Sequence, residues 1–430
     1  MTSMTSMGST GPMTSMGSAA FATARGASGT APGPSPAAAT SPASAAGPGP
    51  ASAAGQWATA GTLPAAVAWR SQHDTALPLK DGRVLVVGGS TPTLNAQSAA
   101  TLYNPAANTW SAAAPMGTSR RDFAAVRLAD GRVLVTGGIG ASQGFPAPGL
   151  ASTEIFDPAA GTWTAAADMH EGRWDHTATL LPDGRVLVAG GGSVRSPQSV
   201  RSLRSAELFD PATGTWTPAP PMTDARSDHA AVALADGRVL LVGGILAVGL
   251  DWPAYLAFCE VYDPAANSWS PTGSMHVPRA LHQATLLRDG SVLATGGGST
   301  AVQLDGVYNP SSTWAAERYD PATGQWEDVP SMPFGRAFHR AVPLASGGVL
   351  VIGGTGSSGY DVGYQNAAIY DPVARAWTAT AGLAVGRWGF AAAPLADGRV
   401  LVAGGVVASG VATANPGHDV LTAAAEVYTP

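Results

Sequence analysis

Charge is scarce in this chain. Only 12% of its 430 residues are Asp, Glu, Lys or Arg, about half the usual globular share. The formal net charge of −6 gives no basic footprint, so no nucleic-acid partner is expected. One cysteine, Cys259, excludes an intramolecular disulfide. No run of 18 apolar residues occurs, so no membrane-spanning helix is expected. Glycine (54) and proline (34) are abundant beside 45% hydrophobic residues, a mixture that favours many short strands joined by turns over helices.

The first 54 residues are a different polymer. Met1–Ala54 carries one charged residue, Arg25, and one aromatic, Phe21. Such a segment buries too little apolar surface to offset its ordering entropy and is expected to be a disordered tail. It lacks both the basic n-region and the continuous apolar h-region of a signal peptide, which leaves the compartment unassigned.

From Gly55 onward the chain repeats. Tryptophan recurs at Trp57, Trp110, Trp163, Trp216, Trp269, Trp326 and Trp377, and glycine doublets begin at Gly88, Gly137, Gly190, Gly243, Gly296, Gly353 and Gly404. From Trp110 on, each tryptophan precedes its doublet by 27 residues. One unit holds four strand-sized pieces. The first, Asp175–Leu181, ends at Asp183-Gly184, a dipeptide suited to a tight hairpin turn. The second, Arg185–Ala189, is apolar on both faces and stops at the doublet. The third, Ala206–Phe209, stops at Asp210-Pro211, because proline cannot continue a ladder. Thr215-Trp216 opens the fourth. Four antiparallel strands repeated about a centre make a propeller blade.

The glycine doublet, the Tyr/Phe-Asp-Pro step and the Trp six residues after that Asp resemble the Kelch repeat. The likeness covers 55–430; Asn104 replaces one Asp, and Ser346-Gly347-Gly348 replaces one Asp-Gly-Arg. It implies an all-β, seven-bladed propeller. The last unit lacks its Trp strand and Gly55–Thr59 has no unit before it, so the N-terminal strand is expected to complete the seventh blade. Closure removes exposed sheet edges, and a monomer is expected.

Length varies in one place. From the first doublet glycine to the Asp-Pro position the intervals are 16, 20, 20, 20, 24, 18 and 25. The variable piece is the loop between strands two and three, on the same face as the loop from strand four into the next blade. Variable loops on a rigid scaffold are where binding normally resides. The candidate ligand residues are Trp252, Tyr255, Trp314, Tyr360 and Tyr364 in these loops, with Asp251 and Asp361 among them. Trp174 and Trp388 follow a repeated arginine on the same face. The expected function is a non-catalytic module gripping a glycan or a protein segment there. The alternative is a carbohydrate-active enzyme using loop carboxylates, for which paired acids of raised pKa would be the sign.

That repeated arginine occurs as Arg70, Arg120, Arg173, Arg226, Arg279, Arg336 and Arg387. Pairing with Glu154, Glu207, Glu260, Glu317 and Glu426 in the same phase points to structural ion pairs. Two blades carry Thr101 and Ala368 instead of the glutamate, so their arginines or adjoining ones, Arg70 and Arg387 among them, are expected to be free for an acidic ligand group. His176, His229, His282 and His339 also recur, but Phe123 and Phe390 hold the equivalent position. Packing or inter-blade hydrogen bonding is therefore expected rather than a metal site, and no cofactor. The stretch Arg173–Val186 is similar to the propeller of galactose oxidase. That resemblance implies a copper-radical enzyme, yet Cys259 sits on a third strand and Leu281 or Trp174 stands where a ligand tyrosine would follow the arginine. The copper chemistry is not carried over.

Overall fold

The computed structural model describes residues 55–430 apart from 71–74, 142–147, 195–199, 249–253, 303–307, 357–361, 410–412 and 414–417, with backbone only over 300–311. It contains seven four-stranded antiparallel sheets, as the repeat predicts. They span 76–113, 124–166, 177–219, 230–272, 283–329 and 340–380, followed by a seventh over 391–429 that is completed by 56–62. We number these blades 1 to 7. Blade 3 comprises Thr177–Leu180, Val186–Ala189, Ala206–Asp210 and Thr215–Ala219, within a residue or two of the bounds expected from sequence. Gln56–Thr62 pairs antiparallel with Ala424–Thr429, bringing Trp57 opposite Tyr428. The ring is closed by its own N-terminal strand.

Each second strand is buried along its whole length (Val84–Val87, Val133–Thr136 and their equivalents), because neighbouring blades cover both of its faces. The repeated tryptophan explains the outer contact. On each fourth strand its ring lies 5.0–5.2 Å from the Tyr or Phe of the third strand. Six of the seven indoles also donate to a carbonyl at the end of the preceding blade, as Trp163 does to Ala114 at 2.8 Å. One residue thus packs within a blade and ties it to the next.

The glycine doublets end the second strands with positive φ, 62° and 94° at Gly137 and Gly138. Their backbones pass so close to the next inner strand that a Cβ on either would lie 2.6 Å from a carbonyl oxygen, of Arg173 and Arg121 respectively. Only glycine fits there.

Candidate functional site at the channel mouth

In every blade the strand two–three loop is hydrogen-bonded to the strand four–one loop. Met169 N–H donates to Ala151 O at 2.9 Å, Met222 to Arg204 O at 2.8 Å and Met332 to Trp314 O at 2.8 Å. Both loop sets therefore form one face, as the connectivity requires.

Five of the repeated arginines are structural. Arg120, Arg173, Arg226, Arg279 and Arg387 are fully buried and pair with Glu154, Glu207, Glu260, Glu317 and Glu426. Each also donates to at least two backbone carbonyls; Arg226 bonds Gly243 O at 2.7 Å and Phe258 O at 2.9 Å. Each glutamate accepts backbone N–H groups from the strand four–one loop that leads into its blade, as Glu260 does from Thr223 at 2.7 Å. The ion pair fastens the functional-face loop to the blade.

The two blades without the glutamate do not free their arginines, and this corrects the expectation from sequence. In blade 6 the Asn366 carboxamide takes the place of the carboxylate, accepting from Arg336 Nη2 at 2.7 Å. The Tyr364 ring lies 5.7 Å from that guanidinium, and burial lowers the Arg336 pKa to about 10. In blade 1, Arg70 pairs with Asp419 from the loop of blade 7 and stacks 4.9 Å over Trp388. Arg387 sits inside its blade, paired with Glu426 at 2.6 Å, and is not presented to a ligand.

The aromatic candidates divide similarly. Trp174 is 4% exposed and packs with Ile139, Val194 and Val200; Trp388 is 3% exposed and packs 5.1 Å from Phe338. Tyr255 is half-buried in a two-stranded ribbon, Ala254–Tyr255 against Ile245–Leu246. Trp314 alone of these is open, at 64% exposure. Asp251, Trp252, Tyr360 and Asp361 lie outside the described residues.

The histidines bridge blades. His176 Nε2 lies 2.8 Å from Thr136 Oγ1, His229 Nε2 3.1 Å from Thr177 Oγ1, and His339 Nε2 2.9 Å from Thr295 Oγ1. Burial lowers the His282 pKa to about 3 and takes His339 well below the usual range, so both are neutral. One grouping with metal-type donor atoms exists among the described residues, His276, Glu317 and Asp328. Its Glu317 is committed to Arg279, and His276 Nδ1 meets Asp328 at 2.9 Å.

Sequence reasoning missed a feature two residues after the arginine. Asp122, Asp175, Asp228, Leu281, Phe338 and Gly389 all have φ of 48–56°. From Asp175 onward each backbone N–H in this series donates to the carbonyl of its counterpart in the preceding blade: Asp175 to Asp122 at 2.9 Å, Asp228 to Asp175 and Leu281 to Asp228 at 3.1 Å, Phe338 to Leu281 at 3.3 Å, Gly389 to Phe338 at 3.1 Å. Trp69 N–H continues the series to Gly389 O at 2.7 Å. Over blades 2 to 7 this backbone collar runs along the axial channel where the innermost strands begin. Below it the channel holds a 140 Å³ cavity in which alanines alternate with the polar side chains Thr177, Thr179, His229, His282 and Gln283.

The collar is acidic on one side and apolar on the other. Asp122 pairs with Arg121 at 2.5 Å. Asp175 is 8% exposed; burial first, then the nearby Asp228 and Asp122 charges, push its carboxyl well above the usual range. Burial likewise raises Asp228 to about 7, opposed by a hydrogen bond from Ser227. Both carboxyls are thus held toward their protonated forms, Asp175 more strongly than Asp228. The signal was present in the chain: Arg-x-Asp recurs in phase at Arg120–Asp122, Arg173–Asp175 and Arg226–Asp228.

The Kelch motif models match residues 120–170, 176–223 and 225–276. Kelch-like protein 35 of Mus musculus is 26% identical over 258 residues, 60% of this chain and 39% of that protein. Spermatocyte protein spe-26 of Caenorhabditis elegans is 28% identical over 243 residues, 56% and 39% of the respective lengths. The chain thus spans about two fifths of the length of these curated relatives. A solved structure, a novel fungal alcohol oxidase of the AA5 family in complex with copper, aligns with a TM-score of 0.66 at 22% identity, over 88% of this chain and 76% of that one. That likeness is one of fold. Cys259 does not fit a copper-site cysteine: it is fully buried, its Sγ 3.4 Å from Ala257 O, and burial pushes its thiol up to about 11.

Proposed function

Because the chain is a Kelch-repeat β-propeller, we propose that it is a non-catalytic interaction module that grips a protein segment on the face of the two–three and four–one loops. The observation that carries this reading is the distribution of exposed apolar side chains. Of six large hydrophobic residues exposed among the described residues, five are in those loops: Val248, Trp314, Phe334, Val362 and Val420. The sixth, Val373, is on the opposite face. Trp314 and Phe334 are 64% and 52% exposed, on segments joined by the Met332 N–H to Trp314 O bond. Exposed aromatics grouped on one face mark an association surface, and aromatic anchors dominate interface energetics.

A protein ligand is favoured over a glycan because four of the five exposed loop side chains are valine or phenylalanine, which offer a sugar no hydrogen bonds. Trp174 and Trp388, which could have stacked on a sugar beside Trp314, are both buried. The relatives named Kelch-like proteins are consistent with a protein-binding propeller.

The test is affinity capture from lysate of the source cell with the full chain, Trp314→Ala, Phe334→Ala and Val373→Ala, alongside a glycan array. A protein retained by the native chain and by Val373→Ala should fall about thirtyfold in affinity with either aromatic substitution, the equivalent of about 2 kcal/mol at a hot spot. Loss with Val373→Ala alone, or glycan binding that Trp314→Ala leaves intact, would overturn the assignment.

A further inference from the structure

We propose that blade 6 takes its missing glutamate from the partner: a glutamate side chain of the bound protein segment enters beside Arg336, at the position that Ala368 does not fill. This rests on the protein-binding reading above. Blades 2 and 3 show what the position holds elsewhere in the ring. Arg120 Nη2 donates twice there, to Ser152 Oγ at 3.3 Å and to Glu154 at 2.7 Å. Arg173 Nη2 does the same, to Ser205 Oγ at 3.2 Å and to Glu207 at 2.8 Å. Asn366 is the counterpart of those serines, because its carbonyl accepts from Arg336 Nη1 as theirs do from Arg120 and Arg173. Its Oδ1 takes one Nη2–H at 2.7 Å, and among the described residues no carboxylate takes the other. Asn366 thus supplies an acceptor without a charge.

The same loss leaves a second donor. The glutamates of blades 2 and 7 each accept two consecutive loop N–H groups, from Gly117 and Thr118 and from Ala384 and Val385. Their counterparts in blade 6 are Pro333, which has no N–H, and Phe334, whose N–H has no acceptor among the described residues. One guanidinium N–H and one main-chain N–H, the kind of donors that hold a carboxylate in the other blades, are left for a carboxylate from outside. Among the described residues no acid cancels Arg336. Glu317 and Glu426 on the flanking blades are committed to Arg279 and Arg387. Arg340, buried 6.0 Å from the Phe390 ring, brings a further positive charge, and His339 is neutral. Asp361 lies outside the described residues. In blade 7 the corresponding glutamate, Glu426, lines an outer groove of 460 Å³ with Ala384 and Val385, so this position borders the surface. In blade 6 only the small Ala379 lies opposite Ala368. Phe334 is itself an exposed aromatic of the docking face, so the carboxylate enters beside an apolar anchor.

The experiment titrates the amide-labelled full chain by NMR with Nα-acetyl-glutamate methylamide and, in parallel, with its glutamine analogue and with acetate. The glutamate probe should saturate and shift the Phe334 main-chain and Asn366 side-chain signals, binding about tenfold more tightly than the glutamine analogue. Ala368→Glu restores the glutamate in phase and should weaken the probe about tenfold by filling the position from within, its fold being checked by thermal unfolding. Asn366→Ser, which reproduces blades 2 and 3, should still bind the probe. No saturation, equal binding of the glutamine analogue, tighter binding of acetate, or a folded Ala368→Glu that binds the probe unchanged would overturn the proposal. If Ala368→Glu does not fold, glutamate against glutamine on the native chain decides. Should the probe fail while Trp314→Ala still abolishes capture of the partner, the protein-binding reading stands and only the glutamate subsite falls.

Discussion

Asp228 donates its backbone N–H to the carbonyl of Asp175 at 3.1 Å, and burial raises both carboxyls above the usual range. The backbone bond fixes the spacing of the two acids on adjoining blades; burial makes each keep its proton to a higher pH than a free aspartate would.

That proton has a consequence for stability. An unfolded aspartate titrates near 3.9, and Asp228 in the fold near 7. Between these values the folded chain binds the extra proton, so stability falls as pH rises from about 4 through about 7, and Asp175, raised as well, extends the fall beyond. Melting temperatures at pH 5 and pH 8 should therefore differ less in Asp228→Asn than in the native chain, with the variant the more stable at pH 8. An identical pH response in both proteins would show that Asp228 is ionised throughout.

The Arg226–Glu260 pair has no exposed side-chain surface on either partner. Glu260→Gln leaves the guanidinium buried without its counter-charge and weakens the anchor of Thr223. Breaking such a pair costs about 3–5 kcal/mol, to be read by chemical denaturation. A loss below about 1 kcal/mol would mean that the carbonyls of Gly243 and Phe258 suffice to hold the arginine.

Ring closure is tested by truncation. Removing residues 1–54 leaves every described contact in place and should not change the melting temperature. Removing 1–64 deletes Gln56–Thr62, the Trp57–Tyr428 contact at 5.1 Å and the Trp57 Nε1–H bond to Ala381 O at 2.7 Å. Blade 7 would keep three strands and an open edge, so melting should fall sharply and aggregation rise. Two truncations that melt together would sink the closure.

Blade count, strand order, closure and the five arginine–glutamate pairs were all legible because they follow the repeat phase, and what is periodic in sequence is periodic in space. The exceptions are where that link breaks. Asn366 substitutes for a glutamate from a position two residues before Ala368, off the phase in which a replacement would be sought. Asp419 reaches Arg70 across 349 residues and the seam of the ring, from a loop whose path no local pattern dictates. Trp174 and Trp388 lie at the entry to strand one, but each is packed beneath neighbouring segments. Exposure of such rings depends on how the loops fold over them, and composition does not encode that. The acidic collar was in phase and readable, yet its residues adopt a left-handed conformation, so the two-residue alternation of a strand does not tell which way they point.

The collar's hydrogen bonds are made entirely by main-chain atoms, and Asp, Leu, Phe and Gly occupy the same slot in it. The aperture is therefore set independently of what lines it. Exchanging one of these residues recolours the rim without resizing it, so relatives built on this frame are free to diverge in what they admit to the channel while the opening keeps its dimensions.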